Sequence, residues 1–228
     1  MQYAPALRRV PCPCGYTTYV DVRRFLIVSL CLVILAAPAA NAQKTAGQLL
    51  VCFGDSITAG YGLSAGQSYP DALQGELNAL GYHYKVINRG TSGATTKDAV
   101  ADLPSILRLH PDIVIVEFGG NDGLRGLPLS ATRQNLNAVL GRLISAHIKV
   151  LVAGITLPPN YGPDYIRQFN AIFPALASKH HAALVPMIYK DLVHVPGTIQ
   201  RDGIHPTAKG SRIIARTLLP SLKPLLHK

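Results

Sequence analysis

Four short stretches of the 228-residue chain carry side chains that can do chemistry together. Gly54-Asp55-Ser56 places a serine directly after an apolar run, residues 49–53. A serine hydroxyl is a poor nucleophile at neutral pH and needs a neighbouring base. Histidine suits that task when a carboxylate fixes its tautomer and stabilises the imidazolium. Asp202-Gly203-Ile204-His205-Pro206 offers both groups, three residues apart, with Gly203 easing the turn between them. Asp191-Leu192-Val193-His194 has the same spacing, so spacing alone leaves a rival. The rival reads as apolar packing or a surface turn, whereas 202–205 reads as a polar loop opening a helix.

Acyl transfer has a third requirement. Negative charge develops on the carbonyl oxygen, and each preorganised donor that meets it is worth roughly 10²–10³ in rate. Candidate donors are the backbone N–H groups of Ser56 and Gly93 and the side-chain amide of Asn121, in Gly119-Gly120-Asn121-Asp122. Taken singly, Gly93 suits a turn and Asn121 a helix cap. A competing nucleophile pattern, Gly62-Leu63-Ser64-Ala65-Gly66, requires a strand directly before its serine and a helix directly after. Ser64 instead falls about ten residues past the apolar run, in a Gly-rich loop.

Elements must bring these stretches together. Five short apolar runs, at 49–53, 84–87, 113–118, 150–155 and 183–185, read as strands. The runs at 113 and 150 are β-branched and nearly continuous, the mark of parallel strands buried on both faces. Helical stripes lie between them. Tyr69, Leu73, Leu77 and Leu80 run up to a stop at Gly81. Thr95 or Thr96 caps a helix that carries Val100 and Leu103 and breaks near Pro104. Ser130 caps one carrying Leu136, Val139, Leu140, Leu143 and Ile144. Tyr165, Ile166, Phe169, Ile172, Phe173 and Leu176 form one further stripe, and Pro206 opens a last helix with Ile213, Ile214 and Leu218. The alternation predicts an α/β fold with a doubly wound parallel sheet between helical layers. Ligands in such sheets bind at the carboxyl ends of the strands, where Ser56, Gly93 and Asn121 all fall.

Composition removes other classes. Only 15% of residues are charged, below the typical ~25%, which excludes a disordered polar chain. No Gly triplet, sustained heptad or internal repeat is present. Arg23-Arg24, the apolar run 25–36 and Ala40-Asn41-Ala42 have the layout of a secretory signal peptide cleaved after Ala42. The run is shorter than the ~20 residues of a membrane span. The expected division is therefore 1–42, extension and signal peptide, and 43–228, one domain. Residues 1–22 make an unusually long lead, as a start codon upstream of the true one would give. Cys12-Pro13-Cys14 lacks the further ligands a metal needs. Residues 43–228 carry 18 Lys and Arg against 11 Asp and Glu, a net +7, with no two basic residues adjacent. Such diffuse charge suits a solvated surface or transient contact with an anionic membrane. It lacks the basic stripe of nucleic-acid binding. Cys52 alone survives cleavage, so no intramolecular disulfide can form, and it reads as a buried small hydrophobe. No Walker loop, Gly-x-Gly-x-x-Gly or Cys–His zinc spacing appears, and His180-His181 is a weak ligand pair. Neither metal nor cofactor is expected.

Gly54-Asp55-Ser56, Gly93, Gly119-x-Asn121-Asp122 and Asp202-x-x-His205, in that order, resemble the four blocks of the SGNH (GDSL-type) serine hydrolases. The likeness extends to Gly119–Gly126 as a string, to Pro158-Pro159-Asn160-Tyr161-Gly162 and to Asp202-Gly203-Ile204-His205-Pro206. It points to the secreted bacterial thioesterase, lysophospholipase and arylesterase group; residues 1–42 lie outside it. The resemblance implies a flavodoxin-like three-layer α/β/α sandwich with a five-stranded parallel sheet. It also implies Ser56 as nucleophile, His205 as base, Asp202 as its orienter, and an oxyanion hole from Ser56, Gly93 and Asn121. The implied substrates are aryl esters, lysophospholipids and acyl thioesters, met in the bacterial periplasm. Leu124, Leu127, Pro158, Pro159 and Tyr161 are candidate walls of an acyl pocket, unless the prolines merely shape loops. Two other readings stay open: a carbohydrate (acetyl) esterase of the same family, and a non-catalytic binding protein on the same scaffold. The chain leaves its oligomeric state undetermined.

Overall fold

The computed structural model describes residues 48–192 and 194–228. The leader and cleavage-site expectations lie outside the described residues. Five parallel strands form one sheet: β1 (Leu49–Gly54), β2 (Lys85–Gly90), β3 (Ile113–Glu117), β4 (Lys149–Ala153) and β5 (Ala183–Val185), in the order β2-β1-β3-β4-β5. β1, β3 and β4 are almost wholly buried, as their continuous apolar runs require. β2 lies at an edge, half exposed, and carries Lys85 and Arg89. Strand order reverses between β1 and β3. Open sheets of this order bind ligands in the crevice beyond the strand ends at that switch point.

Among the described residues eight α-helices connect and cover the strands: α1 (Ser56–Ala59), α2 (Tyr69–Ala79), α3 (Thr96–Leu107), α4 (Gly120–Leu124), α5 (Leu129–Ser145), α6 (Pro163–Asn170), α7 (Ile172–Lys179) and α8 (Ala208–Leu222). α2 packs against α8, and α5 packs against both α3 and α7. The stripes Leu73–Leu77 and Leu136–Leu143 are buried as expected. Cys52 is fully buried within β1. Among the described residues no helix is long and apolar enough to cross a membrane.

Prolines account for most departures from the expected boundaries. Pro104 does not break α3, which runs on to Leu107. The hydrogen bond it removes would end on the carbonyl of Val100, and Val100 is exposed rather than buried. Ala99, Leu103 and Ile106 hold the helix down instead. Ser130 is not the cap of α5. The helix begins at Leu129, because the Pro128 carbonyl already accepts the N–H groups of Ala131 and Thr132. The stripe from Tyr165 to Leu176 divides into α6 and α7. Pro174 has no N–H for the Asn170 carbonyl, and its ring crowds that oxygen. Pro206 stands before α8, paired with Ile199 in an isolated antiparallel bridge, and Thr207 is the cap, accepting from the Gly210 N–H.

Candidate active site

The first strand delivers its serine by a close approach. β1 ends at Gly54, opposite Gly90 of β2 and Glu117 of β3. A Cβ on Gly90 would stand 2.1 Å from the Ala59 nitrogen, so only glycine lets α1 settle onto the sheet there. Asp55 caps α1, its Oδ1 accepting from the Ile57 N–H at 3.0 Å. Ser56 thus becomes the first residue of a four-residue helix at the carboxyl edge of β1.

His205 meets it from the far end of the chain. The segment from Thr198 to Thr207 folds back on itself: the Gln200 N–H donates to the His205 carbonyl and the Thr207 N–H to the Thr198 carbonyl, both at 2.8 Å. Inside that loop the Asp202 carboxylate turns back through Gly203, at φ +74°, a left-handed conformation that favours glycine. Oδ1 accepts from the N–H groups of Ile204 (2.9 Å) and His205 (3.0 Å). Oδ2 accepts from His205 Nδ1 at 2.7 Å. Burial alone would raise the Asp202 carboxyl; the His205 and Ile204 amides and the imidazole outweigh it and hold the group down at about 2. With Nδ1–H given to Asp202, Nε2 is left to accept from Ser56 Oγ, 2.8 Å away. The Tyr61 ring lies against the imidazole, centroids 4.6 Å apart, and the Tyr189 hydroxyl donates to the Ile204 carbonyl at 2.9 Å.

The rivals go elsewhere. Asp191 accepts from Thr217 Oγ1 at 2.8 Å, and His194 is exposed in a turn. Ser64 sits exposed in a loop with no helix directly behind it; its N–H donates to Gln67 Oε1. His180 is engaged by Asn137 Oδ1 at 3.0 Å. Among the described residues no three His, Cys, Asp or Glu side chains converge as metal ligands would.

Donors cluster beside the serine. Asn121, on α4 after β3, gives its Nδ2 hydrogens to the Ala94 carbonyl (2.9 Å) and to Asp55 Oδ2 (3.2 Å). Gly93 precedes Ala94 at φ +80°, and Arg125 Nη2 holds its carbonyl at 2.8 Å. The N–H groups of Ser56 and Gly93 carry no hydrogen bond to any described residue. Asp122 buries its carboxylate on the N–H of Thr96 and the hydroxyls of Thr96 and Thr132, pinning α4 to α3 and α5.

Ser56, Asn121 and His205 line one cavity of about 830 Å³, walled by Leu124, Ile155, Leu157, Pro158, Pro159 and Met187. Leu124, Pro158 and Pro159 thus fall where the pocket was expected. Leu127 and Tyr161 do not line it. Leu127 is exposed, and Tyr161 turns its hydroxyl to the Leu124 carbonyl at 2.7 Å, bracing a wall instead of forming one. Sequence reasoning also passed over Asp55 and Glu117 as working groups. Burial pushes the Asp55 carboxyl up to about 6, against the Ile57 amide, Glu117, His205 and Asn121. The available signal was Glu117 itself, one acid closing an otherwise apolar β-branched strand.

The chain is similar to several known proteins. The sequence model of the GDSL-like Lipase/Acylhydrolase family matches residues 52–213. Esterase TesA of Pseudomonas aeruginosa is 40% identical over 204 residues, 89% of this chain and 100% of that protein. Thioesterase 1/protease 1/lysophospholipase L1 of Escherichia coli is 36% identical over 208 residues, 91% of this chain and 96% of its own. The crystal structure of TesA matches at a TM-score of 0.76 and 41% identity, over 78% of this chain and 100% of that one.

Proposed function

The chain belongs to the GDSL-like lipase/acylhydrolase family and is an ester-hydrolysing enzyme; on that premise we propose that it cleaves acyl esters and thioesters through a covalent acyl-Ser56 intermediate. The observation that carries the reading is the unbroken chain from Ser56 Oγ through His205 to Asp202, at 2.8 and 2.7 Å. His205 Nε2 takes the Ser56 proton as Oγ attacks the acyl carbon. The imidazolium is stabilised by Asp202, which stays ionised throughout. The Ser56 and Gly93 amides receive the oxyanion, joined by the Asn121 amide, which turns to it the hydrogen that the Ala94 carbonyl accepts in the free enzyme. His205 then returns the proton to the departing alcohol or thiol, and water repeats the cycle on the acyl-enzyme.

The cavity supports an acyl chain of some length. Its volume of about 830 Å³ lies in the upper part of the roughly 300–1,000 Å³ range of small-molecule sites, and apolar side chains wall it. Aryl esters, lysophospholipids and acyl thioesters all place such a chain there. An acetyl-sugar substrate would put only two carbons in the same space, which disfavours the carbohydrate-esterase reading. The leader at 23–42 supports export to the periplasm, and the diffuse positive charge supports transient contact with an anionic membrane surface. A chain-length series of p-nitrophenyl esters, run beside acyl-CoA, lysophosphatidylcholine and acetylated xylan, tests the reading. The expected result is a kcat/KM that rises from acetyl toward medium chains, with turnover of thioester or lysolipid. Preference for acetyl esters and acetylated xylan would overturn it.

A further inference from the structure

Beneath the serine lies a buried polar chain that the mechanism above does not use. Glu117 closes β3 with no exposed surface, and Asp55 is 2% exposed. Glu117 Oε2 accepts from Thr58 Oγ1 at 2.8 Å, and the Tyr69 hydroxyl, 3.0 Å from the same Oγ1, has Thr58 as its acceptor. Space for these groups is bought by glycine. A Cβ on Gly54 would meet Thr58 Oγ1 at 2.0 Å and Glu117 Oε2 at 2.7 Å, and one on Gly120 would touch Asp55 Oδ2 at 3.4 Å.

Glu117 Oε1 has no N–H or O–H partner among the described residues. The neighbour it does have is the Asp55 carboxyl, within hydrogen-bonding contact. Two carboxyl groups bond to each other only through a proton. Their surroundings decide which one keeps it. Asp55 accepts from the Ile57 N–H and from Asn121 Nδ2, both of which favour its ionised form. Glu117 has the Thr58 hydroxyl and the Asp55 backbone N–H, but no exposed surface, and the His205 charge that favours an ionised Asp55 does not bear on it. The geometry points to Glu117 as a positioning residue: as a neutral acid it donates Oε1–H to Asp55 and so holds Asp55 as the fixed acceptor that aims the Asn121 amide. The inference rests on Asn121 serving as an oxyanion donor.

Burial, and then the Asp55 charge, push the Glu117 carboxyl well above its ordinary value. The other titratable groups that bear on the pair are Cys52, Tyr69, Tyr189 and His205. Burial holds Cys52, Tyr69 and Tyr189 neutral. The proton also matters for charge. Two ionised carboxylates behind Asn121 would oppose the oxyanion; one neutral member lessens that opposition.

The test compares Glu117→Gln and Glu117→Leu in the full chain. Gln keeps an N–H for Asp55, so kcat should stay within about threefold of the parent. Leu removes the donor, so kcat should fall about 10–100-fold with KM little changed. A C=O stretch of a protonated carboxylic acid should be present in the parent's infrared spectrum at about pH 7.5 and missing in Glu117→Gln. Stability supplies an arm that does not need activity. A carboxyl whose folded pKa is raised contributes stability that is present below its unfolded value of 4.5 and is lost as pH rises toward the folded one. Relative to Glu117→Gln, the parent's unfolding constant should therefore grow by about tenfold per pH unit above that value. No protonated-acid band, a pH-independent difference in stability, or a Gln variant as slow as Leu would each overturn the inference. If Asn121→Ala were fully active, the oxyanion reading would fail instead, with the band and the pH slope unaffected.

Discussion

Ser56 and His205 are 149 positions apart in sequence, yet Nε2 stands 2.8 Å from Oγ, where it can serve as the base of the proposed mechanism. In the proposed mechanism Asp202 makes that base usable. By accepting Nδ1–H while two backbone amides hold its other oxygen, it fixes both tautomer and ring direction. Asp202→Asn should fold normally and lower kcat roughly 10⁴-fold, because the amide can present its N–H to Nδ1 and favour the wrong tautomer. Asn121→Ala should lower kcat by roughly 10²–10³ while KM for a short ester changes little, since in the proposed mechanism the amide acts on charge that appears only in the transition state. Steady-state kinetics on one p-nitrophenyl ester checks both. A change in KM alone would place Asn121 in substrate binding instead.

At the scale of elements, the serine depends on glycines that make room. A methyl group at Gly90 collides with the backbone of Ala59 and cannot be relieved by rotating a side chain. Gly90→Ala should cost roughly 3 kcal/mol of stability and depress activity more than stability explains, because α1 carries Ser56. A variant with parental Tm and kcat would show that α1 can shift without consequence. The elements are also where sequence reading can be judged. β1, β3 and β4 were legible because strands buried on both faces must be continuously apolar. Ser56, Asn121, Asp202 and His205 stood out as candidates because few residue types can perform the proposed chemistry, and the fold brings them together. Pro174 and Pro128 shift helix boundaries through single lost or gained hydrogen bonds, which hydrophobic periodicity does not register. Glu117 hid inside a run that reads as apolar. Leu127 and Tyr161 were misassigned because side-chain direction in a loop follows from contacts, here Tyr161 with the Leu124 carbonyl, and not from spacing.

For the whole molecule, the carboxyl groups around the site pull stability in opposite directions with pH. Asp202 sits low, at about 2 against an ordinary 3.8. Its contribution is present above 3.8 and is lost as pH falls through about 2. Asp55 is raised, to about 6, so its contribution is present below 3.8 and is lost as pH rises through about 6. The Tm difference between the parent and Asp202→Asn should therefore shrink on acidification below about pH 4. A difference that widens toward acid would mean that Asp202 is not held ionised by its loop. Charge is spread without a basic stripe, so added salt should weaken adsorption to anionic vesicles and leave turnover of a neutral soluble ester unchanged.

Covalent trapping reads directly whether His205 activates Ser56. After treatment with a fluorophosphonate, peptide mass spectrometry should find a single adduct, on the peptide segment holding Ser56. The adduct should disappear in Ser56→Ala, nearly disappear in His205→Gln, and persist in Ser64→Ala. An adduct on Ser64, or Ser56 labelling indifferent to His205, would contradict that activation.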